Sequence, residues 1–358
     1  MILSAIRPKA DEYFGPPPVG QGVRITGVSA ISGITYHYFT WISSSGQAYL
    51  FQGSDSYATP MYKYTLNGNI ATRDTGFNTG NFQYGTDYVT SIYEPLNIMM
   101  AWGIGTNTTG AHYTIDLTTG QVIHTLSSVY SPCFWFESST RGVMIYQTSN
   151  TSPIYARIVT FNGQMPTYGN AVTIISSSIT WYYRTAIRSG TQYFVASPSN
   201  GRAMFDSSNS SVASKATAPE NMGCAYLMSP DVIRYYTEVK PTGYYDYTIT
   251  TNTFSAKQMT NIPSGYFSGH VEYNPIRKRY IMTCVGEDIV TAPDLSFTTD
   301  LQTFSSSEQY YGNTVNLQDV RTCYDDNGQW YAGCWYSNAT PPAAGAFTTA
   351  PVVMKKND

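Results

Sequence analysis

Four histidines, His37, His112, His124 and His270, are the side chains of this chain best suited to titrate near neutral pH or to bind a transition metal. They share no metal-ligand spacing, and neither a Gly-x-Ser-x-Gly nucleophile turn nor a phosphate-cradling glycine loop occurs. Carboxylates remain. Two suffice to cleave a glycosidic bond, one as acid and the other as base or nucleophile. Glu94, Glu137, Glu238 and Glu272 lie near the ends of strand-like runs, and only a tertiary structure decides whether two of them converge. Five cysteines, Cys133, Cys224, Cys284, Cys323 and Cys334, make an odd count without a Cys-x-x-Cys pair, which points away from a zinc site and a disulfide framework. They sit in runs such as Pro132-Cys133-Phe134-Trp135 and Met282-Thr283-Cys284-Val285, where a free thiol behaves as a small buried hydrophobe. The expectation is no catalytic motif, no metal and no cofactor.

The surface chemistry is unusual. Only 12% of the 358 residues are charged, about half the roughly 25% of an ordinary soluble domain. Aromatics make up 15%, with 32 tyrosines, so disorder is excluded. No apolar run approaches the roughly 20 residues of a membrane span. A net charge of −3 with scattered Lys and Arg argues against a nucleic-acid binder. The densest basic group, Arg277-Lys278-Arg279, reads as a solvated turn tip. Met1–Ile6 is too short for a signal-peptide core and runs into Arg7-Pro8-Lys9. Synthesis in a cytosol with reduced thiols is expected, and Asn107, Asn209 and Asn338 then carry no glycosylation message.

Two recurring corners would position any site. The first joins a strand through a tight polar turn to an aromatic-rich strand, as in Thr40–Phe51 and Thr322–Gly333, with counterparts at 93–98, 137–142, 187–192, 228–231 and 273–277. The second follows some 20 residues later: Leu66-Asn67-Gly68, Ile115-Asp116-Leu117 and Phe161-Asn162-Gly163 are examples. The apolar residue before it recurs at 66, 115, 161, 205, 249, 297 and 347, at intervals of 49, 46, 44, 44, 48 and 50. Propeller blades repeat at roughly 40–50 residues.

A lone four-stranded sheet cannot bury both faces, but sheets stacked radially bury them against one another. Continuous apolar strands such as Val143-Met144-Ile145-Tyr146 and Tyr280-Ile281-Met282 suit positions between blades. The expected fold is all-β: a seven-bladed β-propeller over 23–358 with an extended Pro-rich N-terminal arm over 1–22. Blades fall at about 35–76, 86–126, 131–175, 179–217, 222–262, 268–305 and 316–354. Residues 23–32 are the favoured ring-closing strand, with Val352-Val353-Met354 as the alternative.

Binding chemistry centres on aromatic and amide side chains. Tyr13 and Phe14 beside Pro16, Pro17 and Pro18 suit either an arm lying on a partner or a tail packed on its own ring. Loops expected on one rim are rich in Tyr, Ser, Gly and Asn, the vocabulary of adaptable recognition surfaces. Tyr57, Phe82, Tyr84 and Asn338 are the candidates there, while many strand tyrosines simply fill space between blades.

Phe297-Thr298-Thr299-Asp300-Leu301-Gln302-Thr303-Phe304 resembles the strand-turn-strand element of sialidase and arabinanase propellers, where Asp-Leu precedes an aromatic. The arginine set and Tyr–Glu pair that a sialidase requires cannot be placed on this sequence. As a whole, the low-charge, Thr/Ser/Asn/Tyr-rich chain resembles in style the tail, nozzle or fibre proteins of tailed bacteriophages. That resemblance implies a non-enzymatic virion component, assembled in the host cytoplasm and docked in several copies around a tail axis, where avidity makes weak contacts effective. The alternatives are an adhesion protein that binds a host-surface glycan or protein, and a propeller glycoside hydrolase. Nucleic acid and membrane insertion are not expected.

Overall fold

The computed structural model describes residues 22–24, 26–28, 36–54, 60–68, 70–80, 90–103, 110–149, 151–177, 186–196, 202–237, 243–260, 266–274, 279–286, 294–298, 300–302, 308–309, 317–324, 330–336 and 352–354. The chain divides into two units, Tyr84–Ser268, and Met1–Gln83 with Gly269–Asp358.

The first unit contains four consecutive antiparallel sheets, each wound in sequence order. The first sheet is Ser91–Tyr93, Ile98–Gly103, Ala111–Asp116 and Val122–Ser127. The second is Tyr130–Ser138, Arg141–Gln147, Ile154–Asn162 and Met165–Tyr168, with Val172–Ile175 added on Ile154–Asn162. The third is Ile187–Ser189, Gln192–Ala196, Arg202–Asp206 and Ser211–Ser214. The fourth is Met222–Ser229, Val232–Thr237, Gly243–Thr248 and Thr253–Phe254, with Gln258–Met259 on Gly243–Thr248.

One strand explains how these sheets stack. Val143, Met144, Ile145 and Tyr146 are all buried, and successive side chains of a strand point to opposite faces. Met144 and Tyr146 join Ile98, Met100 and Trp102 of the first sheet. Val143 and Ile145 join Tyr193, Val195 and Phe205 of the third. A strand covered on both faces loses polar alternation and reads as an apolar run. The third and fourth sheets meet in the same way, Phe194 and Met204 packing with Ile233, Tyr235 and Tyr247. Each such side chain contributes about 1.5–3 kcal/mol on full burial.

The corners follow from local chemistry. Glu94-Pro95-Leu96 forms a single 3-10 turn, and Asn97 closes it at φ 53°, a left-handed conformation that Asn tolerates. At the next corner Asp116 Oδ1 accepts the Thr118 and Thr119 backbone N–H groups at 2.9 and 2.7 Å. Asp206 repeats the device on Ser208 N–H at 2.9 Å. These are side-chain-closed turns of the Asx type.

Tyr266–Asn274, which enters the second unit at Gly269, forms one sheet with Arg279–Gly286, Asp294–Thr298 and Glu308–Gln309. An eight-stranded sheet holds the rest. Tyr36–Ile42, Ala48–Ser54, Tyr62–Asn67 and Ile70–Arg73 run in order on one side. On the other, Leu317–Tyr324 pairs with Trp330–Tyr336, which pairs with Val352–Met354, and Gly22–Arg24 pairs outside that strand. The two halves meet at one register position, His37 opposite Trp335. Both segments that the sequence offers for closure thus lie side by side, with Val23 opposite Val353.

Candidate functional site

Tyr13, Phe14, Pro16, Pro17, Pro18, Tyr57, Phe82, Tyr84 and Asn338 lie outside the described residues, as does Glu238. His37, His270 and Glu272 stand in described strands, but their own side chains are outside the described part. Cys133 and Cys224 are buried free thiols. Asp300 Oδ1 accepts the Gln302 N–H at 2.8 Å, and Leu301 is buried at φ 57°, so the Asp-Leu pair forms a tight side-chain-closed turn.

In the described part of the first unit, Asp116 and Glu137 stand beside corners and tie one sheet to the next. Asp116 Oδ2 accepts Asn97 Nδ2 at 3.0 Å from its own sheet and Gln164 Nε2 at 2.7 Å from the second. Although partial burial pushes its pKa upward, hydrogen bonds from Thr119, Gln164 and Thr118 outweigh this and lower it. Ser189 Oγ of the third sheet donates to the Pro230 carbonyl of the fourth at 2.8 Å.

Between second and third sheets lies the densest cluster. Glu137 is the penultimate residue of strand Tyr130–Ser138, and Arg141 opens the strand after its turn. Arg141 Nη1 is 2.8 Å from Glu137 Oε2, while Tyr193 Oη donates to Glu137 Oε1 at 2.8 Å. Ser207 Oγ donates to the same oxygen, and Arg141 Nη2 donates to the Ser207 carbonyl. Arg188 donates to the Phe136 carbonyl at 2.8 Å and lies over the Tyr193 ring, 5.7 Å from its centroid. Both oxygens of Glu137 are therefore occupied.

The structure thus assembles a Tyr–Glu pair flanked by arginines that the sequence did not reveal. Its chemistry is not that of an exposed nucleophile. Tyr193 is fully buried, and burial first, then the hydrogen-bonded carboxylate, drives its phenol pKa far upward. A nucleophilic phenol needs the opposite shift and access to substrate. Here the pair fastens two sheets. Glu137 and Tyr193 stand 56 positions apart in the chain, in different modules, and no local motif links them.

A second polar cluster lies in the seam of the first and second sheets. His112 is fully buried with neither ring nitrogen hydrogen-bonded, and burial, then the neighbouring His124, lowers its pKa to about 3. Its ring centroid is 5.7 Å from that of Phe134, and His124 lies 5.5 Å from the Tyr168 ring. Arg157, over Tyr146 at 5.1 Å, brings the positive charge from the second sheet. A neutral imidazole suits such a seam. Among the described residues no group of three His, Cys, Asp or Glu is arranged to hold a metal, and no helix is long and apolar enough to cross a membrane.

No protein-family model and no curated protein matches this chain. Among solved structures it is similar to the WD40 β-propeller domain of Doa1, at 8% identity and a TM-score of 0.57, covering 94% of this chain and 97% of that one. It is also similar to KlHsv2 with loop 6CD replaced by a Gly-Ser linker, at 9% identity and a TM-score of 0.51, covering 80% and 85%. The fold is that of a β-propeller. At such identities the likeness carries fold alone.

Proposed function

We propose that this chain is a non-enzymatic assembly component of a virus particle, a tail protein of a tailed bacteriophage. It is built as seven modules and docks to neighbouring particle proteins in several copies. What carries the reading is how charge is used. Only 12% of the chain is charged, and Glu137, Asp116, Asp246 and Glu220 are each engaged by partners in their own or the adjoining sheet. Such carboxylates brace the sheets, and a surface of Ser, Thr, Asn and Tyr is left for contact. Polar contacts of that kind become effective through repetition around an axis.

Mass spectrometry and immunogold labelling of particles purified from the source that encodes the chain test this. The expected result is the chain in fixed stoichiometry, with gold confined to the tail. Its absence from purified particles overturns the proposal. Binding of the purified chain to a glycan array would transfer the reading to an adhesion protein.

A further inference from the structure

Cations in the described part of Tyr84–Ser268 are mostly matched by oxygen. Arg141 meets Glu137, Arg234 meets Asp246, Lys257 meets Glu220, and Arg188 meets the carbonyls of Phe136 and Gly190. Arg202 differs. It is 5% exposed, and its Nε, Nη1 and Nη2 have no hydrogen-bond partner. Its guanidinium lies over the rings of Tyr235, Tyr247 and Phe254, with Cζ 4.2, 4.4 and 4.2 Å from their centroids. Arg202 opens a strand of the third sheet, and the three rings stand on the fourth.

Aromatic faces attract a cation through their quadrupole but offer no lone pair to its N–H bonds. A guanidinium keeps its proton, so a full charge with unused donors is enclosed between two sheets. Tyr235 adds to them, since its ring is fully buried and its Oη has no partner either. Tyr247 does not, because its hydroxyl donates to Asn252 Oδ1 at 2.8 Å. Water would satisfy these donors without neutralising the charge. A carboxylate or another oxyanion does both, and bidentate acceptance from arginine is the geometry it favours.

We infer that Arg202 and Tyr235 form an internal site for a compact oxyanion, a carboxylate, phosphate or sulfate group, with Tyr247 and Phe254 as its apolar walls. Lys215, whose backbone N–H bonds the Arg202 carbonyl at 3.2 Å, places a further cation on the adjacent strand stretch.

Thermal melting of the purified chain at constant ionic strength tests the site, with acetate, phosphate and sulfate each titrated against chloride. At least one is expected to raise Tm saturably by about 3–8 °C at millimolar concentration. Arg202→Met is expected to abolish that rise and, in chloride alone, to melt no lower than the parent, because it removes an uncompensated buried charge. Tyr235→Phe keeps all three rings and is expected to raise the half-saturating concentration several-fold. An equal anion response in the parent and Arg202→Met, or no response in the parent, overturns the inference. Should Arg202→Met not fold, Tyr235→Phe decides alone, and an unchanged half-saturating concentration overturns it.

Discussion

His112 is where a single side chain sets the behaviour of a seam. In the unfolded chain its imidazole titrates near 6.5, whereas in the folded chain it resists protonation until about pH 3. Between those values the unfolded state binds a proton that the folded state refuses, so stability falls as pH drops from 6.5 towards 3. At roughly 1.4 kcal/mol per unit, the loss is on the order of 3–5 kcal/mol. Urea unfolding at pH 7 and pH 4 measures it, and His112→Leu should remove most of the difference. His124 faces the same seam and adds repulsion once His112 is charged. At Glu137 the expected costs follow the partners lost. Glu137→Ala strands a one-third-exposed Arg141 and the buried Tyr193 hydroxyl, for about 1–3 kcal/mol. Tyr193→Phe removes one hydrogen bond, for about 1 kcal/mol by the same unfolding measurement. Neither residue announced its role in sequence: Glu137 stood only as one of four carboxylates near strand ends, and His112 alternates with Tyr113 in a strand whose inner face is chosen by packing.

At the scale of the element, the strand-turn-strand corners were readable because their chemistry is local. Pro95 begins a 3-10 turn, Asn97 takes the left-handed conformation, and Asp116 closes its own turn, all within a few residues. Two glycines separate local from tertiary demands. At Gly163, φ is 58° and nothing lies within 4 Å of an added Cβ, so only the backbone conformation restricts it. Gly163→Asn should change stability by no more than about 0.5 kcal/mol. At Gly142 an added Cβ would stand 2.6 Å from Phe134 Cζ and 2.9 Å from the Trp135 carbonyl oxygen. Gly142→Ala should cost about 1–3 kcal/mol through overpacking of the hairpin. Denaturant midpoints of the two variants, compared at equal slope, check both.

At the scale of the whole molecule, the long-range pairing of Gly22–Arg24 with Val352–Met354 joins opposite ends of the chain. Deleting residues 1–25 would leave Val352–Met354 as an uncovered edge, a template for pairing with other chains. The truncated protein is expected to melt several degrees lower and to form concentration-dependent aggregates, read by calorimetry and light scattering. The sequence offered both segments as alternatives for closure, since each is a short apolar strand. It could not show that they pair with each other, because strand pairing depends on three-dimensional register.

Repetition and composition belong to the sequence. Corner residues recur at 44–50-residue intervals, and abundant aromatic and β-branched side chains accompany sparse charge, so local turn chemistry and burial demand already select an all-β propeller. The tertiary structure alone decided which polar groups meet. Glu137 reaches Tyr193, Asp116 reaches Gln164, and Arg202 lies against the rings of the adjoining sheet, each across a boundary between modules. Turn formation is a property of a few consecutive residues. Contact between stacked sheets depends on twist, register and packing summed over the modules between, and no local pattern encodes that sum.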